Sequence, residues 1–219
     1  MPTQTQHSLF DHIPDEVWHD EPDSGGLDRF YTPFPLAKAI LEDAKSQFPD
    51  AWAPVFVEPS VGGGAWAWAA RELWPSCVII GVDIDPDADG LNMVDEPHVG
   101  DWLEVAERIL NRTYRINKGF TWCIGNLPFS EQAAHWSWCM RVAPRTTVIC
   151  NGIWPTTLDY REVVDTAGAG IRHRTEPNPR ADFVGGKGNY QAPTPGITWE
   201  RGHRGPGTYN QVRWRGRKR

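Results

Sequence analysis

The chain has 219 residues, with 22 Lys and Arg against 28 Asp and Glu for a formal net charge of −6, and it carries 12 Trp, 21 Gly and 19 Pro. That length suits one domain, or one with a small extension, able to bury roughly 70% of the surface its unfolded chain exposes, so folding needs no disulfide or metal staple. No apolar run approaches the roughly 20 residues that cross a bilayer, and the first 30 residues are acidic and polar, so the expectation is a cytoplasmic protein without a membrane partner.

Residues 1–28 hold seven acids and no Lys or Arg, and they end in Asp23-Ser24-Gly25-Gly26. This composition predicts a poorly ordered acidic arm before the domain proper. From about residue 29 to 165, apolar runs alternate with segments of helical pattern. Strands are expected at Val55-Phe56-Val57, Cys77 to Val82, Thr121 to Ile124 and Thr146 to Cys150, and helices at about 35–47, 64–73, 101–110 and 130–141. Such alternation predicts a doubly wound α/β domain with a mostly parallel sheet. Within the second and fourth helical segments, Trp66 and Trp68, and Trp136 and Trp138, are spaced by two. One of each pair is therefore expected in the core and the other near the surface. Beyond about 165 the chain turns Gly- and Pro-rich, which predicts loops and short antiparallel strands, one at Gly196 to Arg201. The domain is taken to run over 29–212, followed by a basic tail at 213–219. Seven of the 22 basic residues follow Glu200 and no acid does, leaving 15 basic against 28 acidic residues in the first 200. The four cysteines are isolated, without C-x-x-C spacing or a nearby histidine. They predict buried thiols and no metal site.

Three turns stand out along this frame. Glu58-Pro59-Ser60-Val61-Gly62-Gly63-Gly64 links an expected strand to a helix, where glycines let backbone approach a ligand at the carboxyl end of the sheet. It is neither a Walker loop nor a G-x-G-x-x-G turn. Gly81-Val82-Asp83-Ile84-Asp85 ends the next strand in carboxylates, which suit a ribose diol. Gly100-Asp101-Trp102 follows the next short apolar stretch and offers an acceptor for an exocyclic amine beside a ring. Each acid alone is equally a helix cap or loop residue. The fourth element is Trp122-Cys123-Ile124-Gly125-Asn126-Leu127-Pro128-Phe129, an apolar strand ending in Asn-Leu-Pro-Phe.

With that element the chain resembles the S-adenosylmethionine-dependent methyltransferases that modify amino groups, whose signature is Asn/Asp-Pro-Pro-Tyr/Phe. The resemblance covers about residues 29–155. It implies a Rossmann-like class I methyltransferase fold with a seven-stranded, mostly parallel sheet and helices on both faces. It further implies S-adenosylmethionine as cofactor, S-adenosylhomocysteine as product and no metal. Glu58, Ser60, Gly62 and Gly64 resemble the cofactor loop, Asp83 with Ile84 the ribose end, and Asp101 with Trp102 the adenine end. Phe30-Tyr31-Thr32-Pro33 resembles the Phe/Tyr-x-x-Pro element at the methionine end, through Tyr31, Thr32 and Pro33. Asn126, which the resemblance also places among the cofactor-binding residues, and the Leu127 carbonyl would accept from the target amine and make its nitrogen more electron-rich. Pro128 would stiffen the turn, and Phe129 would stack on a flipped adenine.

Leu127 in place of proline makes the motif similar also to that of ribosomal-RNA adenine dimethyltransferases. Those enzymes add a helical C-terminal domain, whereas only about 90 residues follow Phe129 here, some of which must complete the sheet, and the tail is Gly- and Pro-rich. That favours DNA as partner. The end of the chain, Asn178 to Gly185, Gly196 to Pro206 and Val212-Arg213-Trp214, resembles small phage or prophage adenine methyltransferases, in which a Trp-bearing strand closes the sheet. Arg172, Arg174, Arg180, Lys187 and Arg213 are candidate phosphate contacts. His98 and His135 are read as structural. The readings kept beside DNA N6-adenine methylation are RNA adenine, a protein glutamine amide, and a binding subunit that has lost turnover. Monomer and homodimer are both open.

Overall fold

The computed structural model describes residues 31–49, 55–116, 121–179 and 193–214. Helix α1 (Phe34–Ser46) begins directly after Pro33, with proline inside its first turn, where a missing N–H costs nothing. Its Leu36, Ala37, Ile40, Leu41 and Ala44 recur at helical spacing and are buried. Strand β1 (Val55–Glu58) leads to α2 (Ala65–Leu73), β2 (Val78–Asp83), β3 (Glu96–Val99) and α3 (Trp102–Ile116). Then come β4 (Thr121–Asn126), α4 (Gln132–Val142), β5 (Arg145–Ile149), α5 (Leu158–Ala167), β6 (Ala169–Asn178), β7 (Gly196–Arg201) and β8 (Thr208–Arg213).

These strands form one sheet in the order β3-β2-β1-β4-β5-β7-β6-β8. The five strands β3 to β5 are mutually parallel, β7 runs antiparallel between β5 and β6, and β8 lies parallel beside β6. The expected doubly wound, mostly parallel sheet is present, but it has eight strands among the described residues rather than seven. Strand β8 covers what would otherwise be a free edge along the ten-residue β6. Two further differences follow from local chemistry. Helix α5 falls where no helix was expected, yet its ends are marked. Thr157 Oγ1 accepts the Tyr160 N–H at 3.3 Å, and Gly168 closes the helix at φ +60°. Strand β8 extends to Arg213, and Trp214 is buried with its indole N–H on the Pro179 carbonyl at 2.6 Å. Ordered structure therefore continues two residues past the expected domain end.

The two sheet faces are packed separately. On one, α1 and α2 bury Trp66, Trp74, Trp122 and Trp214 with Phe56. On the other, α3, α4 and α5 enclose Trp102, Trp136, Trp154 and Trp199. Trp136, Trp154 and Trp199 meet pairwise edge to face at 5.4–5.8 Å, a geometry the ring quadrupoles favour. Trp66 and Trp136 are buried while Trp68 and Trp138 are partly exposed, as the spacing predicts. All four cysteines are free and buried. Among the described residues no helix is long and apolar enough to cross a membrane, and no cluster of three or more potential metal ligands occurs.

The register matters for function. It aligns Glu58 with Gly81, Asp83 with Val99, and Asn126 with Ile149. The three sequence turns and Asn126 therefore emerge at one edge of the sheet.

Candidate active site

A cavity of about 380 Å³ opens at that edge, lined by residues from the turns after β1, β2, β3 and β4. This size falls in the range of small-molecule sites. Its floor is the β1–α2 turn. Gly62 sits at φ +50°, and a Cβ there would stand 3.0 Å from the Tyr31 ring, so the turn is open to glycine and closed to larger residues. The Gly62 N–H donates to Asp83 Oδ2 at 2.7 Å, and the Gly62 carbonyl accepts the Gly90 N–H at 2.8 Å, which ties the turn to the end of β2. Ser60 and Gly62 reach the cavity. Gly64 does not, being buried at φ +79° where a Cβ would meet Met93 Sδ at 2.5 Å.

Asp83 also accepts the Asp85 N–H through Oδ1 at 3.0 Å. A carboxylate offers about four acceptor positions, so each oxygen keeps capacity for a ligand hydroxyl. Ile84 and Asp85 continue this wall. At the next turn Asp101 Oδ1 accepts the Leu103 N–H at 2.7 Å, which caps the start of α3, and the residue lines the cavity. Trp102 is almost wholly buried, touches the cavity, and donates its indole N–H to the His135 carbonyl at 3.1 Å.

Asn126 ends β4 and lines both this cavity and a smaller adjoining recess of about 40 Å³, which Tyr31, Thr32 and Trp66 share. Thr32 Oγ1 accepts the Trp66 indole N–H at 3.3 Å, so the segment before α1 is fastened to α2. Pro33 caps α1 and lines neither space. Pro128 faces the cavity, the Leu127 side chain is in the core, and Phe129 is partly buried against the α1–α2 cluster.

Glu58 is fully buried beneath the turn and not part of the cavity wall. Burial pushes its carboxyl well above the usual carboxylate range, and the neighbouring Asp83 charge adds to the effect.

The basic candidates separate. Arg172 lies toward the amino end of β5, away from the cavity, in an ion pair with Glu200 at 3.8 Å and near the Phe48 ring. Glu200 and the aromatic ring thus place Arg172 at the sheet edge opposite the cavity. Arg174 is bound to Glu176 Oε1 at 2.7 Å. Arg213 is exposed at the end of β8, level with Asn178 on the cavity side of the sheet. Arg180 and Lys187 lie outside the described residues.

Two histidines add to the sequence reading. His135, read as structural, is almost wholly buried and also touches the cavity. His173 carried no expectation, yet it is buried with Nε2 on Asp43 Oδ2 at 2.7 Å and Nδ1 against Thr208 Oγ1 at 2.6 Å. The only sequence signal for either is a polar residue within a buried element, which says nothing about its partner.

The strand order from β3 to β6, the parallel half-sheet and the ligand-sized cavity at its carboxyl edge are those of the class I methyltransferase fold. Solved structures agree on this fold. A candidate RNA methyltransferase from Pyrococcus horikoshii superposes with a TM-score of 0.58 at 16% identity, covering 80% of this chain and 87% of that one. A candidate class I S-adenosylmethionine-dependent methyltransferase from Listeria monocytogenes gives 0.60 at 12% identity, covering 83% of this chain and 65% of the other. The methyltransferase subunit of a type I restriction-modification system from Streptococcus thermophilus gives 0.60 at 15% identity, and the chain covers 80% of its own length but 45% of that protein's. No protein family and no curated protein matches the chain by sequence.

Proposed function

We propose that the protein is an S-adenosylmethionine-dependent methyltransferase acting on N6 of adenine in DNA. The observation that carries this reading is the position of Asn126, at the end of β4 on the wall of the cavity that Asp83 and Asp101 also line. The residues suit the cofactor. Asp83 retains acceptor capacity for a ribose diol, Asp101 for an exocyclic amine, and the Gly62 turn admits close approach of an amino-acid chain without a Cβ in the way. When bound, the cofactor supplies an electrophilic methyl group on a sulfonium.

The protein's own part is positioning and electrostatics. The lone pair of an adenine amine is delocalised into its ring, which makes it a weak nucleophile. Oδ1 of Asn126 and the Leu127 carbonyl accept its two hydrogens, hold the nitrogen toward tetrahedral geometry and raise its electron density. Pro128 fixes the turn that presents both acceptors. The exposed part of Phe129 offers a face for the extruded base, offsetting some of the few kcal/mol that unstacking costs. Arg213, with Arg180 and Lys187 from the sequence, supplies phosphate contacts.

Labelled-methyl transfer to adenine-rich duplex DNA, to RNA and to protein tests the proposal. Label is expected in DNA as N6-methyladenine and absent with Asn126→Ala. Label confined to RNA or protein overturns the substrate, and transfer unaffected by Asn126→Ala overturns the role of that residue.

A further inference from the structure

The turn after β5 carries an aliphatic side chain that the core does not use. Ile153 is 56% exposed and belongs to none of the apolar clusters among the described residues. Its backbone, by contrast, is held on both sides. The Ile153 N–H donates to Asn151 Oδ1 at 3.0 Å, and its carbonyl accepts the Thr156 N–H at 2.9 Å and the Thr156 hydroxyl at 2.7 Å. The flanking residues are anchored too. The Gly152 N–H donates to the Pro193 carbonyl at 2.7 Å, an approach that a Cβ on Gly152 would block, and Trp154 is buried against Trp136, Tyr160 and Trp199. An isoleucine side chain is stiff at χ1, so this turn presents a rigid apolar point to solvent.

That point stands on the rim of the candidate active site. Ile149 is the register partner of Asn126, and adjacent strands lie about 5 Å apart. The Asn151 N–H donates to Gln132 Oε1 at 3.4 Å, and Gln132 directly follows Pro128, Ser130 and Glu131 of the cavity wall. Ile153 is two residues past Asn151, at most about 7 Å along the chain. The carboxylates Asp83, Asp85 and Asp101 line the cavity from the turns after β2 and β3, on the far side of β1, and they repel a phosphate backbone there. On the other side β5 lies between Asn126 of β4 and Arg213 at the end of β8, so a duplex that meets both passes over the β5 turn. Extruding a base leaves a gap in the stack, and isoleucine is among the side chains that wedge between base steps. We infer that Ile153 enters the duplex where the target adenine leaves it and so keeps the base extruded toward Asn126. The inference rests on the DNA reading of the proposed function. Phe129 meets the base that has left the stack, whereas Ile153 meets the stack left behind.

The test measures labelled-methyl transfer by the full chain to an adenine-rich duplex and to its adenine-bearing strand alone. A wedge matters only where a stack must be opened. Ile153→Ala should therefore lower kcat/KM on the duplex by roughly tenfold while the single strand changes by less than about twofold, and Ile153→Met, which restores a long apolar side chain, should recover the duplex rate. An unchanged duplex rate in Ile153→Ala, or an equal loss on both substrates, overturns the inference and leaves the DNA reading intact. Transfer by the unmutated chain to the single strand alone does the same, since no stack is then opened. If the unmutated chain methylates neither, the DNA reading itself fails and takes this one with it. A second readout uses the duplex with 2-aminopurine in place of an adenine. Its fluorescence should rise as the unmutated protein unstacks the base and rise less with Ile153→Ala; an equal rise with both overturns the wedge.

Discussion

The two halves of the sheet hold themselves together by different means. In the half formed by β3, β2, β1 and β4, the inner strands β2, β1 and β4 are largely apolar and buried, and their carboxyl ends bring Asp83 and Asn126 to the cavity, while the edge strand β3 carries partly exposed polar residues. In the half formed by β5, β7, β6 and β8, polar side chains run through the interior. Thr147 and Thr198 meet at 2.7 Å, Thr147 also accepts the Trp122 indole N–H, and Asp43 accepts from His173, Thr175 and Asn210. The first half thus places Asp83, Asp101 and Asn126 on the cavity wall. The second pairs Thr147, Thr198, His173 and Thr175 internally and supports the first through the Trp136–Trp154–Trp199 cluster. The contrast implies that variants in the second half change stability, and variants at the carboxyl edge of the first change binding and rate.

The largest expected effect is on the support. Trp199→Ala removes a fully buried ring and the hydrogen bond from its indole to Tyr160. It should cost about 3–5 kcal/mol in denaturant unfolding, with cofactor affinity preserved in the molecules that remain folded. If affinity fell in step with stability, the division between the halves would fail. Next comes Asn126→Ala, expected to slow methyl transfer by about 10²–10³-fold, as for loss of one donor or acceptor aimed at a reacting group, while calorimetry shows cofactor binding unchanged. Asp83→Ala should do the reverse, weakening cofactor binding by about 1.5–3 kcal/mol through loss of a charged acceptor. Normal affinity in that variant would move the ribose contact to Asp85.

A smaller effect concerns pH. The Glu58 carboxyl is raised well above its ordinary value by burial, so the folded chain keeps a proton that the unfolded chain releases. Stability without ligand therefore falls as pH rises above about 4.5, by at most about 1.36 kcal/mol per pH unit, until the folded group also ionises. Glu58→Gln should flatten that slope in thermal melts. Asp43 titrates with the opposite sign. Burial pulls its pKa up, but the hydrogen bonds from His173, Asn210 and Thr175 prevail and hold it below the ordinary value, so its contribution is lost as pH falls through the acid range. The smallest effect is at the basic candidates. Arg213→Ala should reduce the salt slope of DNA binding by about one, whereas Arg172→Ala, removing a side chain held by Glu200, should leave it unchanged.

The same contrast explains what the sequence reveals. Parallel strands covered on both faces read as apolar runs, so β1, β2, β4 and β5 are visible, and with them the turns that follow. Strand β6, with Arg172, His173, Arg174, Thr175 and Glu176 in succession, has no such signature, because its buried positions are satisfied by Asp43 and Thr208 from distant elements. Strand β8 is almost wholly exposed and equally silent. Helix α5 was signalled only by Thr157 and Gly168 at its ends. At the site, Asn126, Asp83 and Asp101 follow from their turns, but His135 lies in the first turn of α4, outside any motif. Its place on the cavity wall depends on how α4 packs beside α3, which no local spacing encodes.

The contact between Asn210 and Asp43 spans 167 positions of the chain. Because His173 and Thr175 meet the same carboxylate, helix α1, made early, carries an Asp43 that gains its full set of protein partners only once residue 210 has been synthesised. The order of synthesis is then at odds with the order of stabilisation: the ligand-binding turns exist long before the sheet that steadies them can close. During translation the nascent chain must hold an apolar half-sheet without its far half, a state in which exposed strand edges invite association. Folding that waits on so distant a pairing must meet the entropy of closing a long loop before the contacts that reward it can form.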